Sequence, residues 1–448
     1  MGKKGSRAGR SGGAGREKGG EAWSFLGESF PGIDRGTVKR HLLYLVLVSL
    51  ATRLAVLVAT PAVFHSFVDL FDLGFYLQNA GLPLLQGKIP YLNFGIDYPV
   101  LVFVPIVIAL VPAILTNSGM AFIYSFQFLM VLCDLGILAC VYLIGLRLWG
   151  ERVGWIAGLV YATSFAAAYF VLTKYDAFPT LFFMGAVLFT VYGRGLKGYA
   201  SATLGFFAKI FPAVAFPFIV LYRAKDTSIR QEIVSAAKVF LPVAVVLFLP
   251  LAIVRPDTIN AYLFATGASV GVYVNTATFT LYSWLHDVAR LGVSEGGVSL
   301  VMYLLMGLSI LLLLWAGWRE PRGRPASFLK LLAAAVFAFV FFTKFHSPQY
   351  LVWYTPLLAL LVADDLKKIG VFYLTQALAY IEFPLMFNAY YVNLNYTNPA
   401  GSGDWFLTLA FFTVENLAFL LLFGLVLRPD GGFREKLAGL NPWPARKG

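Results

Sequence analysis

Long apolar runs separated by short polar stretches dominate the chain between Leu42 and Leu427. The runs are roughly 17 to 25 residues long, which lets a helix cross a hydrocarbon core of about 30 Å. They lack the alternation of apolar and polar residues that marks the strands of a membrane barrel. In lipid the backbone must satisfy its own hydrogen bonds, and a helix does so within one segment. The pattern therefore predicts an all-α polytopic membrane protein.

Composition agrees with this pattern and sets the limits of the membrane domain. Of the 448 residues, 59% are hydrophobic and 13% are charged, whereas a soluble protein carries about 25% charged residues. Residues 1–40 are predicted to form a disordered, basic, cytoplasmic tail, because their Gly-rich start cannot bury enough apolar surface to fold. Residues 41–427 form the predicted membrane domain, which opens with a signal anchor over Leu42–Val63. Residues 428–448 form a predicted cytoplasmic C-terminal tail.

Charge and cysteine usage exclude several other classes. The net charge is +12, but the basic residues are scattered over loops, so we expect no nucleic-acid partner. Cys133 and Cys140 are seven residues apart in one apolar run. That spacing corresponds to a rise of about 10.5 Å along a helix, too far for a disulfide. No zinc-binding pattern is present, and we expect neither a metal nor another cofactor.

The basic breaks between apolar runs constrain which side of the membrane each loop faces. If every run spans, the breaks at 147–152 (RLWGER) and 194–199 (RGLKGY) lie outside, which the positive-inside rule disfavours. The alternative places Val100–Leu115 at the outer interface. It also breaks Ala200–Tyr222 into two short helices, because Lys209 and Pro212 interrupt that run.

We favour this second arrangement, which predicts about 11–13 transmembrane helices. It puts all the basic breaks in the cytoplasm and gives external loops at 64–119 and 255–297. The carboxylates that then lie on the outer side are Asp69, Asp72, Asp97 and Asp176.

The first external segment continues as FDLGFYLQNAGLPLLQGKIPYLNFGIDYPVL. An Asp soon after the first span, a G-x-x-P-Y sequence and a closing D-Y-P-x-L resemble the GT-C superfamily of integral membrane glycosyltransferases. The residues that carry this match are Asp72, Tyr76, Ala80, Gly87, Pro90, Tyr91, Asp97, Tyr98, Pro99 and Leu101. The family usually shows a second proline after Pro99, where this chain has Val100.

Three later stretches are similar to segments of the same family. The stretch from Val141 to Phe178 resembles its basic turn, helix and external Asp. AKIFPAVAFPFIVLYR resembles its mid-chain Lys-x-x-Pro helix. FFTKFHSPQYLVWYTPLL resembles the late segment of the catalytic subunits of GPI mannosyltransferases. The residues that carry these matches are Arg147, Arg152, Asp176, Lys209, Pro212, Lys344, Gln349, Tyr350 and Trp353.

The resemblance implies a GT-C-like helix bundle that moves a hexose, in one interpretation mannose, from a polyprenyl-phosphate or dolichol-phosphate donor. The acceptor would be a lipid or glycan on the extracytoplasmic face of the plasma membrane, and membrane lipids would be further partners. Glycosyl transfer needs a base at the acceptor hydroxyl, a role suited to a carboxylate. It also needs cations that hold the lipid phosphate. No acid is required, because phosphate is a good leaving group.

The resemblance and this chemistry together give a set of candidate site residues. The predicted catalytic residues are Asp72 and Asp69, the predicted donor-phosphate ligands are Lys344, His346 and Lys209, and the predicted substrate-binding residues are Tyr76, Asp97, Tyr98, Asp176, Gln349 and Tyr350.

Each candidate also has a structural interpretation. Asp69 and Asp176 are each placed to cap the helix that follows, and Asp97 lies in a turn context. A purely structural lysine at Lys209 would be rare inside an apolar run. Lys344 and His346 could contact head groups only.

Arg53, within the first span, would either snorkel or pair with an acid in a loop. For the whole chain, the alternative function is a secondary transporter or a lipid-linked-sugar flippase. That alternative predicts an internal repeat and charged residues deep in facing helices.

Overall fold

The computed structural model of the chain describes residues 22–96, 98–254, 271–320, 325–391 and 402–428. Within these ranges the chain is all-α apart from two short strands, as the apolar runs predict. Seven helices are long and apolar enough to cross a membrane, or eight if one bent pair counts as a single span. Four further apolar helices have 10–17 residues. The predicted total of 11–13 spans stays a prediction, because these four are shorter than a full crossing.

The elements follow one another in chain order. The first half comprises β1 (Ala22–Phe25), β2 (Glu28–Asp34), α1 (Arg35–Ala62), α2 (Phe71–Tyr76), α3 (Leu82–Leu85), α4 (Phe103–Thr116), α5 (Gly119–Trp149), α6 (Glu151–Ala162), α7 (Phe165–Thr173), α8 (Ala177–Val191) and α9 (Gly195–Ala208). The second half comprises α10 (Ala215–Arg223), α11 (Ile229–Val254), α12 (Ala277–Ser283), α13 (Glu295–Arg319), α14 (Pro325–Phe342), α15 (Leu351–Val362), α16 (Leu366–Tyr380) and α17 (Gly403–Leu427). A π-helical segment, Ile381–Tyr391, continues α16.

A β-hairpin precedes the first span. β1 and β2 pair antiparallel, and Asp34 then caps α1 by accepting a hydrogen bond from the backbone N–H of Thr37 at 2.9 Å. The sequence predicted a disordered tail over residues 1–40. The structure differs from this prediction over the second half of the tail, where the hairpin and the start of α1 are formed. Residues 1–21 lie outside the described ranges.

The hairpin is fixed to two of the basic breaks. Arg147, at the end of α5, forms an ion pair with Glu28 at 3.1 Å. Arg194, just before α9, donates to the carbonyl of Leu26 at 2.8 Å. Both basic breaks therefore lie at the same end of the bundle as the chain that leads into α1. This is the relative placement that the second sidedness arrangement requires.

The run from Ala200 to Tyr222 is broken, as predicted. α9 ends at Ala208, and Lys209 has an extended backbone with φ −157° and ψ 146°. A 3₁₀ turn over Phe211–Val214 then leads into α10. Proline cannot donate the helical hydrogen bond, so Pro212 favours this interruption. Lys209 therefore lies in the break between two helices and not within a regular helix.

A close contact between two glycines and one buried ion pair hold helices of the bundle together. A Cβ added to Gly145 of α5 would lie 2.8 Å from the Cα of Gly154 in α6, so glycine permits this close approach. Arg53 of α1 binds Asp134 of α5 through two nitrogens, at 2.9 and 3.0 Å. Tyr161 also donates to Asp134, at 2.7 Å. Both interpretations of Arg53, snorkelling and pairing with a loop acid, are therefore wrong, since its partner is inside a membrane helix.

Candidate active site

Two segments meet at the end of the bundle that lies opposite the hairpin. One is the connection from α1 into α2, which carries Asp69 and Asp72, and the other is the connection from α7 into α8. Lys174, in the second connection, places its Nζ 2.6 Å from Asp69 Oδ2 and 3.2 Å from Asp72 Oδ1. One ammonium group thus holds both predicted catalytic carboxylates, in an ion-pair cluster whose lysine is buried and whose aspartates are partly exposed.

The two aspartates differ in how they are held. Asp69 accepts from the backbone N–H of Phe71 at 2.9 Å, and its own N–H donates to the hydroxyl of Tyr169 at 2.9 Å. Asp69 therefore stabilises the turn before α2. This role is similar to the helix cap that the sequence suggested for Asp69. Asp72 has Lys174 as its one side-chain partner among the described residues, and its side chain is 20% exposed against 13% for Asp69. Asp72 is the carboxylate more open to a substrate.

The electrostatics of Asp72 suit a base. Burial raises the pKa of this carboxyl above its ordinary value, with smaller contributions in the same direction from Asp69 and Asp176. The nearby charge of Lys174 lowers the pKa and so opposes the effect of burial. A carboxylate whose pKa is raised binds a proton more strongly, as a general base requires.

A second cluster adjoins the first through the connection from α7 into α8. Asp176 accepts from Lys209 Nζ at 2.7 Å and from the indole N–H of Trp353 at 2.5 Å. Its side chain is only 2% exposed and makes no capping hydrogen bond to α8. The structure therefore contradicts the capping interpretation of Asp176. Instead, Asp176 ties the break after α9 to the start of α15.

Aromatic rings surround the ammonium of Lys209. Its Nζ lies 5.7 Å from the ring centroid of Tyr98, 5.8 Å from that of Tyr350 and 5.1 Å from that of Trp353. Tyr350 and Trp353 stack on each other at 3.8 Å, and Tyr76 donates to the Tyr98 hydroxyl at 3.2 Å. Cation–π attraction and the Asp176 carboxylate together account for a lysine in this apolar run.

The loop before α15 carries the remaining predicted ligands. Lys344 is half-buried, and its ammonium group has no hydrogen bond or ion pair with the part of the chain that the structure describes. Burial lowers the pKa of His346 to about 4, so its ring is neutral at pH 7. The ring stacks with Tyr350, with centroids 5.8 Å apart. Gln349 is buried, and its Oε1 accepts from the hydroxyl of Ser347.

The structure groups most of the predicted site residues, and their roles stay predictions. The structure brings Asp69 and Asp72 together, and it groups Tyr76, Tyr98, Asp176, Lys209 and Tyr350 beside them. Asp97 lies outside the described residues. Lys174 was missed as a site residue, although the TKYD break contains it two positions before Asp176. An isolated lysine beside an acid between two apolar runs was the available signal.

No three histidine, cysteine or acidic side chains form a group suited to a metal ion within residues 22–96, 98–254, 271–320, 325–391 and 402–428. The site is therefore described by its carboxylates, its lysines and the aromatic rings around them. These groups can accept a proton at one point and bind an anion at another.

Two solved structures are similar to this chain over most of its length. ArnT from Cupriavidus metallidurans bound to undecaprenyl phosphate is 15% identical, with a TM-score of 0.47 over 88% of this chain and 76% of the ArnT chain. The same protein in the apo state is 15% identical, with a TM-score of 0.49 over 87% and 76%. At these values the likeness supports no conclusion on activity.

No family model matches the chain, and a comparison with curated proteins gives no match.

Proposed function

We propose that this protein is a GT-C-type membrane glycosyltransferase that moves a hexose from a polyprenyl-phosphate donor to a lipid or glycan acceptor. The observation that carries the proposal is the cluster of Asp69, Asp72 and Lys174 beside the Asp176–Lys209 pair. Carboxylates that can accept a proton and lysines that can bind a phosphate meet at one end of a membrane bundle. The sequence resemblance to GT-C enzymes through Asp72 and Asp97 supports the same function.

In the proposed reaction, Asp72 accepts the proton of the acceptor hydroxyl as its oxygen attacks the anomeric carbon of the sugar. A new bond forms between that oxygen and the anomeric carbon. The bond from the anomeric carbon to the phosphate oxygen breaks, and its electron pair leaves with the lipid phosphate. This direct displacement inverts the anomeric centre. Lys174 keeps Asp72 ionised before the reaction, and Asp69 fixes the position of Lys174 through their ion pair.

The lipid phosphate is proposed to bind between Lys344 and Lys209. Lys344 has no competing partner among the described residues, so its charge is available to an anion. Lys209 shares its charge with Asp176, which makes it a weaker ligand. His346 is neutral at pH 7 and would contribute a hydrogen bond instead of charge. Tyr98, Gln349 and Tyr350 would contact the sugar, as would Asp97.

The donor class, the sugar and the sidedness belong to the same proposal. One of the two ArnT structures is bound to undecaprenyl phosphate, and we propose a lipid phosphate of that chemical class for this chain. Mannose is the sugar that the segment from Phe341 to Leu358 favours through its resemblance to GPI mannosyltransferases. We place the site on the extracytoplasmic face of the plasma membrane, with the N-terminus in the cytoplasm, because the basic breaks lie at the opposite end of the bundle.

Transfer of labelled sugar in isolated membranes tests the proposal. Wild type, Asp72→Asn and Asp404→Asn would each be offered a panel of polyprenyl-phosphate hexoses and a lipid extract as acceptor. Asp404 is an exposed acid at the start of α17 and serves as the matched control. We expect transfer by wild type and by Asp404→Asn, and a loss of about 10²-fold or more in Asp72→Asn. Equal rates in all three would remove Asp72 from the mechanism.

The alternative of a transporter or flippase draws on one observation, the charged side chains of Arg53 and Asp134 buried within facing helices. Reconstituted vesicles distinguish the two functions. Movement of a polyprenyl-phosphate sugar across the bilayer with no new glycosidic bond would favour the flippase.

A further inference from the structure

A carboxyl group lies near the middle of the last membrane helix. Glu415 of α17 is only 4% exposed, and α17 qualifies by length and composition as a membrane span. Its Oε1 is buried and has no hydrogen-bond partner in the part of the chain that the structure describes. An ionisable side chain at such a depth is costly, and its presence favours a functional role over a structural one.

Two further polar side chains lie with it. Asn275 donates through Nδ2 to Glu382 Oε1 at 2.6 Å and to the carbonyl of His346 at 3.1 Å. Asn275 Oδ1 is buried and, like Glu415 Oε1, has no hydrogen-bond partner among the residues that the structure describes. Glu382 is 5% exposed, and it interacts electrostatically with Glu415. Asn275 and Glu382, from two separate segments, are thus bonded to each other, and Glu415 of a third segment interacts with Glu382.

This cluster adjoins the candidate active site on two sides. Glu382 directly precedes Phe383, whose ring centroid lies 5.8 Å from Lys174 Nζ. Asn275 is bonded to His346, in the loop that also carries Lys344. A molecule bound by Glu382, Glu415 and Asn275 would therefore reach towards both the carboxylates and the proposed phosphate ligands.

The chemistry of the unused atoms defines the ligand. One is a carboxyl oxygen and the other is an amide carbonyl oxygen, so a ligand with hydroxyl groups, which both donate and accept hydrogen bonds, suits them. A metal ion such as Ca²⁺ would need six to eight oxygen ligands, and the described residues hold no group of three metal-binding side chains. Val274, the chain neighbour of Asn275, belongs to an apolar cluster with Phe412, and Tyr273 and Phe387 pack against that cluster. Carboxyl and amide groups near aromatic rings suit a ring that is polar at its edge and apolar on its faces.

We infer that Glu382, Glu415 and Asn275 form a binding site for the hydroxyl groups of a saccharide. The inference rests on the proposed function in one respect, since the saccharide would be the sugar of the donor or of the acceptor. It assigns substrate recognition to three residues outside the motifs that suggested the enzyme class. The Asp69–Asp72–Lys174 cluster would act on the molecule that this site holds.

Direct binding tests the inference without requiring turnover. Wild-type protein in lipid nanodiscs would be titrated with methyl glycosides of common hexoses, followed by saturation-transfer difference NMR. Ethylammonium chloride would be titrated in parallel as a simple cation. We expect wild type to bind at least one glycoside, and Glu415→Gln to weaken that binding roughly tenfold or more, because an amide does not reproduce the hydrogen bonds of a carboxyl group. Asn275→Ala should have a similar effect.

Asn416→Ala is the matched control, since Asn416 is a polar neighbour of Glu415 whose amide is already bonded to Thr280 and Phe412. It should bind the glycoside as wild type does. Equal binding by wild type and Glu415→Gln would overturn the inference, as would binding of ethylammonium alone or of neither ligand. Glu415→Gln conserves size and shape, so the variant should keep its helix packing. The melting temperature would verify this.

A competition arm identifies the source of the saccharide. Displacement of the bound glycoside by a polyprenyl-phosphate hexose would assign the site to the donor sugar, and binding that is unaffected by the donor would assign it to the acceptor. Failure of the inference and failure of the proposed function remain separate. If transfer depends on Asp72 but glycoside binding is unchanged in Glu415→Gln, only the inference is refuted. If glycoside binding depends on Glu415 but no transfer is detected, only the proposed reaction is refuted.

Discussion

At the scale of single residues, the candidate site depends on one lysine shared by two acids. Lys174 contacts both Asp69 and Asp72, yet only Asp69 is further fixed by backbone hydrogen bonds. A sequence pattern of two aspartates three positions apart does not separate a structural acid from a reactive one. The separation comes from the turn that Asp69 builds and from the greater exposure of Asp72.

Replacement of Lys174 should change the pH dependence of transfer. Burial raises the pKa of Asp72 and Lys174 lowers it, so Lys174→Met should raise that pKa further. The base acts when ionised, and activity falls as the pH drops through its pKa. The acidic limb of kcat/KM should therefore move to higher pH in Lys174→Met. Lys174→Arg keeps the charge and should leave the limb near its wild-type position. An unchanged limb in Lys174→Met would contradict this account of Asp72.

Lys344 should govern donor affinity. It has no ion-pair partner among the residues the structure describes, whereas Lys209 is paired with Asp176. Lys344→Ala should raise the KM for the polyprenyl-phosphate donor by about tenfold or more while kcat changes less, because a charged contact to phosphate is lost. Lys367→Ala, a change at an exposed lysine of α16, provides the control. A donor KM that stays constant in Lys344→Ala would place the phosphate elsewhere.

At the scale of elements, the sequence predicts where helices are interrupted better than it predicts which side chains pair. Lys209 and Pro212 predicted the break after α9, because a charge and a proline in an apolar run both oppose a straight membrane helix. The partner of Asp176 was not predictable, since Trp353 lies far along the chain and indoles are common in membrane helices. The hairpin before α1 was also missed. Its sequence follows a Gly-rich stretch, and its strands depend on contacts with Arg147 and Arg194.

Helix packing at Gly145 offers a test of the bundle that is independent of chemistry. A Cβ there would lie 2.8 Å from the Cα of Gly154, so Gly145→Leu must push α5 and α6 apart. Overpacking of this kind costs about 1–3 kcal/mol or more, and we expect a lower melting temperature in detergent. Gly424, in α17, has no atom within 4 Å of an added Cβ. Gly424→Leu should melt as wild type does, and equal melting of both variants would be inconsistent with the α5–α6 contact.

At the scale of the whole molecule, the two ends of the bundle carry different charges. The hairpin and the basic breaks gather at the start of α1, while Asp69, Asp72, Lys174 and Asp176 gather beyond its other end. α1 has 28 residues, which corresponds to a length of about 42 Å, enough to separate the ends by a bilayer core. The apolar runs predicted the membrane class directly. Hydropathy alone does not predict how many helices cross the membrane, because several apolar helices are short or bent.

The arrangement predicts that Glu28 and Phe71 lie on opposite sides of the membrane. Phe71 begins α2 and is 74% exposed, and Glu28 lies in the hairpin that contacts Arg147. Cys133 and Cys140 are free and would first be replaced by serine. Single cysteines would then be placed at the two positions, and intact cells would be treated with a membrane-impermeant maleimide. The positive-inside rule puts the basic end in the cytoplasm, so Phe71→Cys should react in intact cells and Glu28→Cys only after the membrane is opened. Reaction of both in intact cells would show that the two ends share one side. Reaction of Glu28→Cys alone would place the candidate site in the cytoplasm, where the acceptor would have to be a cytoplasmic molecule.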